Sequence, residues 1–178
     1  MSSALFEPAP GFDQPIAVLK HCHDRIRRQI GTLQRLVAHL QKHGADEEAQ
    51  QAASAVLRYF SQAAPNHHAD EEIDLLPVLQ AVASGADAGA LQQLLPQLLH
   101  EHQRMETLWH ALEPALQAIA AGDCVPLPEA ALSEFADMYL SHMVKEETVV
   151  APMALRLLNP SQIARLGEAM RVRRGIAS

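Results

Sequence analysis

Apolar residues recur every three or four positions along the first part of the chain, and one histidine interrupts them. The spacing predicts a long amphipathic helix with Asp13 as its cap, Pro15 in its first turn and Gly44 at its end. Its apolar face is formed by Ile16, Leu19, Ile26, Ile30, Leu33, Val37 and Leu40. The vacant step of this face holds His23, so a polar side chain points into the predicted core.

A second helix is predicted to begin at Asp46, and its apolar face also contains ligand-type residues. This face runs through Val56, Phe60, Ala64, His67, Glu71, Leu75 and Val78. Proline disrupts a helix interior at a cost of about 3 kcal/mol, so we expect a break or kink at Pro65, with Asn66 capping the turn that carries His67. Residues 83–88 are expected to form a loop.

The third and fourth helices repeat this arrangement. The third face is formed by Leu91, Leu95, Leu98, Met105, Trp109, Leu112, Leu116 and Ile119, and His102 takes its missing step. Pro96 is expected near a first turn and Gly122 at the helix end. The fourth face is formed by Leu132, Phe135, Tyr139, His142, Glu146 and Val149. A last amphipathic stretch, from Ser161 to about Arg173, is expected to cross one end of the bundle.

Four helices with short links predict an all-α, up-down-up-down antiparallel four-helix bundle with a short C-terminal helix. We expect an extended lead over residues 1–14, the bundle over 15–155 and the C-terminal helix within 156–178. Low aromatic content, 4%, favours aliphatic helix packing over a β-sandwich.

Charge and cysteine usage exclude several classes. A net charge of -7 gives no basic stripe for nucleic acid, and no apolar run reaches membrane length. The N-terminus does not resemble a signal peptide, so the cytoplasm is the expected location. Cys22 and Cys124 lack metal-cage spacing and predict free thiols. Cys22 adjoins His23, and the alternatives are an inert buried thiol or a redox-active one.

The ligand-type residues belong to an internal duplication. The pattern His-x3-Glu-Glu-x4-Pro starts at His67 and again at His142, 75 residues later, and each copy follows a phenylalanine by seven positions. His23 precedes the first copy and His102 precedes the second. Residues four apart on a helix differ by only about 40° around its axis, so each His-x3-Glu pair points into one space.

A metal centre would account for these polar residues in the core. A buried carboxylate needs a proton, a cation or a partner, and the four predicted faces contain no lysine or arginine. Imidazole and carboxylate suit iron, manganese, zinc or copper. If both carboxylates bridge two octahedral ions, the protein fills about eight of twelve positions, an oxo or hydroxo bridge fills two more, and two remain for a small molecule.

The order His, His-x3-Glu, His, His-x3-Glu resembles the hemerythrin-like (HHE) di-iron family over roughly residues 13–155. The resemblance implies terminal ligation by His23, His67, His102 and His142, and bridging by Glu71 and Glu146. Oxygen-carrying hemerythrins have a fifth histidine, four residues from the one on the third helix; this chain has Leu98 and Glu106 there. The pattern is more similar to bacterial di-iron proteins linked to nitric oxide stress and to iron sensors.

Three further residues lie close enough in sequence to join the site. His68 could be a seventh ligand, a group that supports a ligand, or an exposed neighbour; Glu106 could approach the second ion or remain solvated. Tyr139 could offer a hydroxyl one turn before His142. Glu72 and Glu147 are expected to face solvent, a neighbouring helix or a histidine N–H.

These inferences predict a non-haem di-iron protein that binds or senses oxygen or nitric oxide, or handles iron under oxidative or nitrosative stress. The alternatives are an enzyme that reduces peroxide or nitric oxide, and a zinc-bound or metal-free interaction module. Zinc or manganese could replace iron on the same donors. The expected partner is a diatomic molecule, and neither nucleic acid nor a membrane is expected.

Overall fold

The computed structural model describes residues 9–176, which contain helices and no strand. The all-α class is therefore confirmed for this part of the chain, and residues 1–8 of the predicted lead lie outside it. No helix in this range combines the length and apolar character of a membrane span. The helices are α1 (Pro15–His43), α2 (Glu47–Arg58), α3 (Ala64–Ala69), α4 (Leu76–Val82), α5 (Gly85–Ala120), α6 (Glu129–Lys145), α7 (Ala151–Leu157) and α8 (Pro160–Arg173).

Three π-helical turns join these helices into longer ones. The turn Tyr59–Ala63 joins α2 to α3, and Asp70–Leu75 joins α3 to α4. The turn Glu146–Val150 joins α6 to α7. The second predicted helix is thus continuous from Glu47 to Val82, and the fourth from Glu129 to Leu157.

The helix that follows each π-helical turn has a proline as its second residue, Pro65, Pro77 or Pro152. Proline cannot donate to the carbonyl four residues back and its ring clashes with it. The preceding residue therefore donates to a carbonyl five residues back in a widened turn, as Leu76 does to Glu71. The helix does not break at Pro65, because the wider turn accommodates the ring; the irregularity expected there is a π-helical turn. Asn66 accordingly caps no helix.

The π-helical turns also shift the buried face by one residue. Leu79 is buried where Val78 was expected, and Val150 is buried where Val149 was expected. A turn of more than 3.6 residues moves the next buried position one residue further along the chain, and a prediction from constant helical spacing cannot anticipate this. In α1, which has no such turn, Leu36 is buried where Val37 was expected.

Several helix ends were predicted correctly and others were not. Asp46 caps α2 by accepting from the Ala49 amide at 2.9 Å, and Gly44 ends α1 with φ 67°. Gln14, and not Asp13, occupies the N-cap of α1. The expected loop over residues 83–88 is only Ala83 and Ser84, since α5 already starts at Gly85. Pro96 consequently lies inside α5 and not in a first turn.

Contacts between consecutive helices show that the two helices of a pair run in opposite directions: the start of one helix lies near the end of the next. The Tyr59 hydroxyl donates to the Cys22 carbonyl at 3.1 Å, whereas His39 near the end of α1 meets Asp46 at the start of α2, at 2.8 Å. The same holds for α5 and α6, because Glu101 lies near His142 whereas Arg104, further along α5, lies near Glu134, which is earlier in α6. These contacts are those of antiparallel neighbours.

Two apolar clusters fill the core, one on each side of a polar layer. The larger contains the rings of Phe60, Trp109, Phe135 and Tyr139. The smaller contains residues from α1, α4, α5 and α7, together with Leu166 and Met170 of α8. The predicted histidines and glutamates occupy the layer between them. Helix α8 packs against the smaller cluster through Leu166 and Met170.

Gly167 is required where α8 packs against the segment before α1. A Cβ atom there would lie 1.8 Å from the Phe12 carbonyl oxygen. Alanine normally stabilises a helix interior relative to glycine, but Gly167→Ala should lower the free energy of unfolding by about 1–3 kcal/mol because of this clash. Gly89→Ala in α5 is the matched control, since a Cβ there meets nothing within 4 Å. Urea unfolding of both variants checks this, and equal stabilisation would contradict it.

Candidate metal centre

The six predicted ligands come from every long helix and meet in the middle of the bundle. Each is buried, and each replaces an apolar residue of its helix face, so the same periodicity that builds the core directs it inward. They are His23 of α1, His67 of α3, Glu71 of the turn Asp70–Leu75, His102 of α5, His142 of α6 and Glu146 of the turn Glu146–Val150.

The six side chains form two overlapping groups, in each of which the ligand atoms lie within 4.8 Å of one another. The first group consists of His23, His67, Glu71 and Glu146, and the second of His102, His142 and the same two glutamates. Each group therefore offers two imidazole nitrogens and two carboxylate oxygens. The glutamates are the shared members, which is the role expected of bridging residues.

The two oxygens of Glu71 face different histidines. Oε1 lies 3.4 Å from Nε2 of His67, in the first group, whereas Oε2 lies 3.6 Å from Nε2 of His102, in the second. A carboxylate directed in this way can donate one oxygen to each of two ions.

The oxygens of Glu146 divide in the same way. Oε2 lies 3.2 Å from Nε2 of His23, and Oε1 lies 3.0 Å from Nε2 of His142. The two copies of the duplication thus contribute one equivalent carboxylate each, and the two groups are related like the copies themselves.

Three of the histidines are held from behind by carboxylates outside the two groups. Because a carboxylate only accepts, each contact places the proton on Nδ1 and leaves the Nε2 lone pair facing the centre. The pairs are His23 with Glu147 at 2.9 Å, His102 with Glu72 at 2.6 Å, and His142 with Glu101 at 2.8 Å. The histidine N–H was one of the alternatives expected for Glu72 and Glu147.

The nitrogen and oxygen atoms that face the centre are suited to coordinate a cation. His23 Nε2, Glu71 Oε2 and Glu146 Oε2 are buried and have no hydrogen-bond partner among the described residues. Nε2 of His102 and Nε2 of His142 approach to 2.9 Å although both rings use Nδ1 for an outer carboxylate. In neutral rings these two nitrogens would present lone pairs to each other, which repel unless a proton or a metal ion lies between or beside them.

Sequence comparison agrees with this geometry. The family model described as the hemerythrin HHE cation-binding domain matches residues 14–154. The chain belongs to this family. An uncharacterized protein of Haemophilus influenzae is 28% identical over 165 residues, which cover 93% of this chain and 92% of that protein. Family membership and the buried histidine and glutamate groups together indicate metal binding.

The environment inside the HHE domain shifts the pKa values of its two shared glutamates in opposite directions. Burial, together with the charge of Glu146, holds the pKa of Glu71 well above its usual value. Burial also opposes ionisation of Glu146, but its contacts with His142 and His23 prevail and lower its pKa well below the usual value. Without a cation the two carboxyl groups therefore differ in how readily they ionise, and a bound metal would favour the charged form of both.

The histidine protonation states follow from the same environment. Burial, reinforced by the neighbouring His23, holds the pKa of His67 well below its usual value and keeps the ring neutral, as ligation requires. Burial also lowers the pKa of His102. For His142 burial acts in that direction too, but hydrogen bonds to Glu146 and Glu101 prevail and raise its pKa.

The additional candidate residues lie outside both groups. His68 stacks on His102 with ring centroids 4.0 Å apart, and its Nε2 lies 3.5 Å from the Tyr139 hydroxyl. Glu106 lies on the surface, where its side chain is 74% exposed and approaches His110. The structure thus places His68 beside His102 and Tyr139 beside His68, and it leaves Glu106 solvated.

Two residues that matter here were missed by sequence reasoning. Glu101 supports His142 and contacts Lys145, but nothing in its spacing distinguishes it from other carboxylates of α5. Asp70 is completely buried beside Glu71 and is paired with arginines of the C-terminal region. Both depend on contacts between distant helices.

Cys22 and Cys124 are free, as predicted, and burial raises the pKa of the Cys22 thiol, which favours the inert alternative.

A mainly apolar cavity of about 530 Å³ leads from the surface to the first group. It is bounded by residues of α1, α7 and both glutamate turns, among them His23, Glu71, Glu146, Leu19, Leu75 and Val150. A second cavity, of about 500 Å³, lies on the opposite side and reaches His68, His102 and Tyr139. Both sides of the centre are therefore approached from solvent.

The outer carboxylates should affect metal affinity without being ligands. Glu101→Gln keeps one acceptor oxygen but removes the negative charge that orients His142 and pairs with Lys145, so the affinity for ferrous iron should fall about 10–100-fold, as is typical for such supporting groups. Glu106→Gln, on the same helix and exposed, is the matched control and should leave affinity unchanged. Competition with a calibrated chelator checks both. Unchanged affinity in Glu101→Gln, or an equal loss in Glu106→Gln, would contradict this supporting role.

Proposed function

We propose that this HHE domain binds two iron ions through His23, His67, Glu71, His102, His142 and Glu146. The observation that carries the proposal is the division of both carboxylates between the two groups, one oxygen toward each. Two nitrogens and two oxygens per ion form a donor set that suits iron. An oxo or hydroxo bridge would complete the link between the ions and leave two positions for a small ligand.

The site further supports binding or sensing of oxygen or nitric oxide. Iron supplies the open coordination position and the electron density that such diatomic molecules require. The chain supplies a mainly apolar cavity that ends at His23, Glu71 and Glu146, and an apolar route favours a small neutral ligand over ions. On this basis we also propose a role in oxidative or nitrosative stress, including the handling of iron itself.

Metal content tests the shared glutamates. Protein purified without chelators should contain about two irons per chain. Glu71→Gln and Glu146→Gln each keep one oxygen and lose the other, so each variant should retain about one iron or fewer. Glu113→Gln, outside both groups, is the control and should retain both ions. Elemental analysis of the folded variants gives the answer, and two irons in both variants would refute bridging.

Ligand access tests the functional part of the proposal. The absorption spectrum of the iron-loaded protein should change reversibly with oxygen or nitric oxide. Ala17→Trp narrows the cavity beside His23 and should slow that change at least severalfold, with metal content unaltered. Ala90→Trp, on the exposed face of α5, is the control. Stopped-flow mixing measures the rates; equal rates would contradict this route, and multiple-turnover consumption of peroxide would favour an enzyme.

A further inference from the structure

A second buried charge cluster lies behind the turn that carries Glu71. Asp70, the first residue of the π-helical turn, is 0% exposed. Arg174 Nη2 and Nη1 donate to Oδ2 and Oδ1 of Asp70 at 2.6 and 3.2 Å, and Arg173 also donates to Oδ1. Arg173 reaches Asp74, one turn further on, at 2.6 Å. Two guanidinium groups thus hold a carboxylate adjacent in sequence to a proposed ligand.

These arginines lie beyond the residues that the family model matches, which end at 154. They are the last residue of α8 and the one after it, and the helix is fixed by burial of Leu166 and Met170. The Arg174 guanidinium lies 5.7 Å from the centroid of the Phe12 ring and donates to the Met170 carbonyl. The cluster therefore adds a contact from outside the matched bundle to the turn that positions Glu71.

The duplication provides an independent comparison. The residue equivalent to Asp70 is Lys145, which directly precedes Glu146. Lys145 is also anchored to another helix, because its Nζ donates to Glu101 of α5. Both shared glutamates thus follow a residue that an ion pair ties to a distant helix, although the sign of the charge differs. The recurrence of an anchor at this one position, with different chemistry, indicates a requirement of the turn.

We propose that Asp70, Arg173 and Arg174 are positioning residues that hold the π-helical turn so that both oxygens of Glu71 reach the two ions. This inference rests on the proposed metal centre. A buried ion pair is a weak source of stability, because aliphatic residues of equal volume often stabilise a protein as well. It does fix the direction of a backbone segment. Since Asp70 and Glu71 are consecutive, displacement of one carboxylate moves the origin of the other.

The test compares ferrous iron binding to the full chain and to variants. Arg174→Gln and Asp70→Asn should each weaken binding of at least one ion about tenfold or more, within the range seen when groups that orient ligands are removed. Arg165→Gln, an exposed residue of α8, is the matched control and should bind like the wild type. Asp70→Asn keeps the side-chain size and leaves partly exposed arginines, so it serves if Arg174→Gln folds poorly.

The double variant Asp70→Asn/Arg174→Gln separates positioning from general stability. If the two residues act through each other, their effects on iron affinity should be less than additive. Iron affinities come from anaerobic chelator competition, and urea unfolding of the metal-free proteins gives stability. Loss of stability with unchanged iron affinity in both single variants would overturn the inference while leaving the proposed function intact. A wild-type chain that fails to bind two ferrous ions would overturn both.

Discussion

The structure depends on burying two carboxylates and four imidazoles inside a bundle of aliphatic helices. Glu71 and Glu146 are 2% and 4% exposed, and their ion-pair partners in residues 9–176 are histidines. Isolated buried charge costs several kcal/mol or more, and this polar layer also separates the two apolar clusters. Positive charge at the centre would link all four long helices through this layer, so metal binding and folding should be coupled.

Backbone geometry directs these side chains as much as their spacing does. Each shared glutamate lies at or next to the start of a π-helical turn that ends two residues before a proline. The widened turn makes room for the proline ring. It also sets the angle about the helix axis at which the residues after the glutamate point. The sequence element His-x3-Glu-Glu-x4-Pro therefore encodes ligand, outer carboxylate and turn together: Glu72 and Glu147, which follow the shared glutamates, hold histidines of other helices.

The amino-acid sequence predicts the parts that depend on local periodicity. Histidines at vacant steps of apolar faces identify His23 and His102 as members of the buried polar layer, and the repeat identifies the other four. The same reasoning fails where a helix departs from constant spacing: the break expected at Pro65 is a π-helical turn, and the register after Glu146 moves by one residue to Val150. It also fails for Glu101 and Asp70, whose roles arise from helices distant in sequence.

Anomalous diffraction at the iron absorption edge, from crystals of the iron-loaded protein, would test the central claim directly. The account predicts two separate peaks, one within bonding distance of His23 and His67 and the other of His102 and His142, with Glu71 and Glu146 contacting both. A single peak, or ions outside this layer of six side chains, would contradict it.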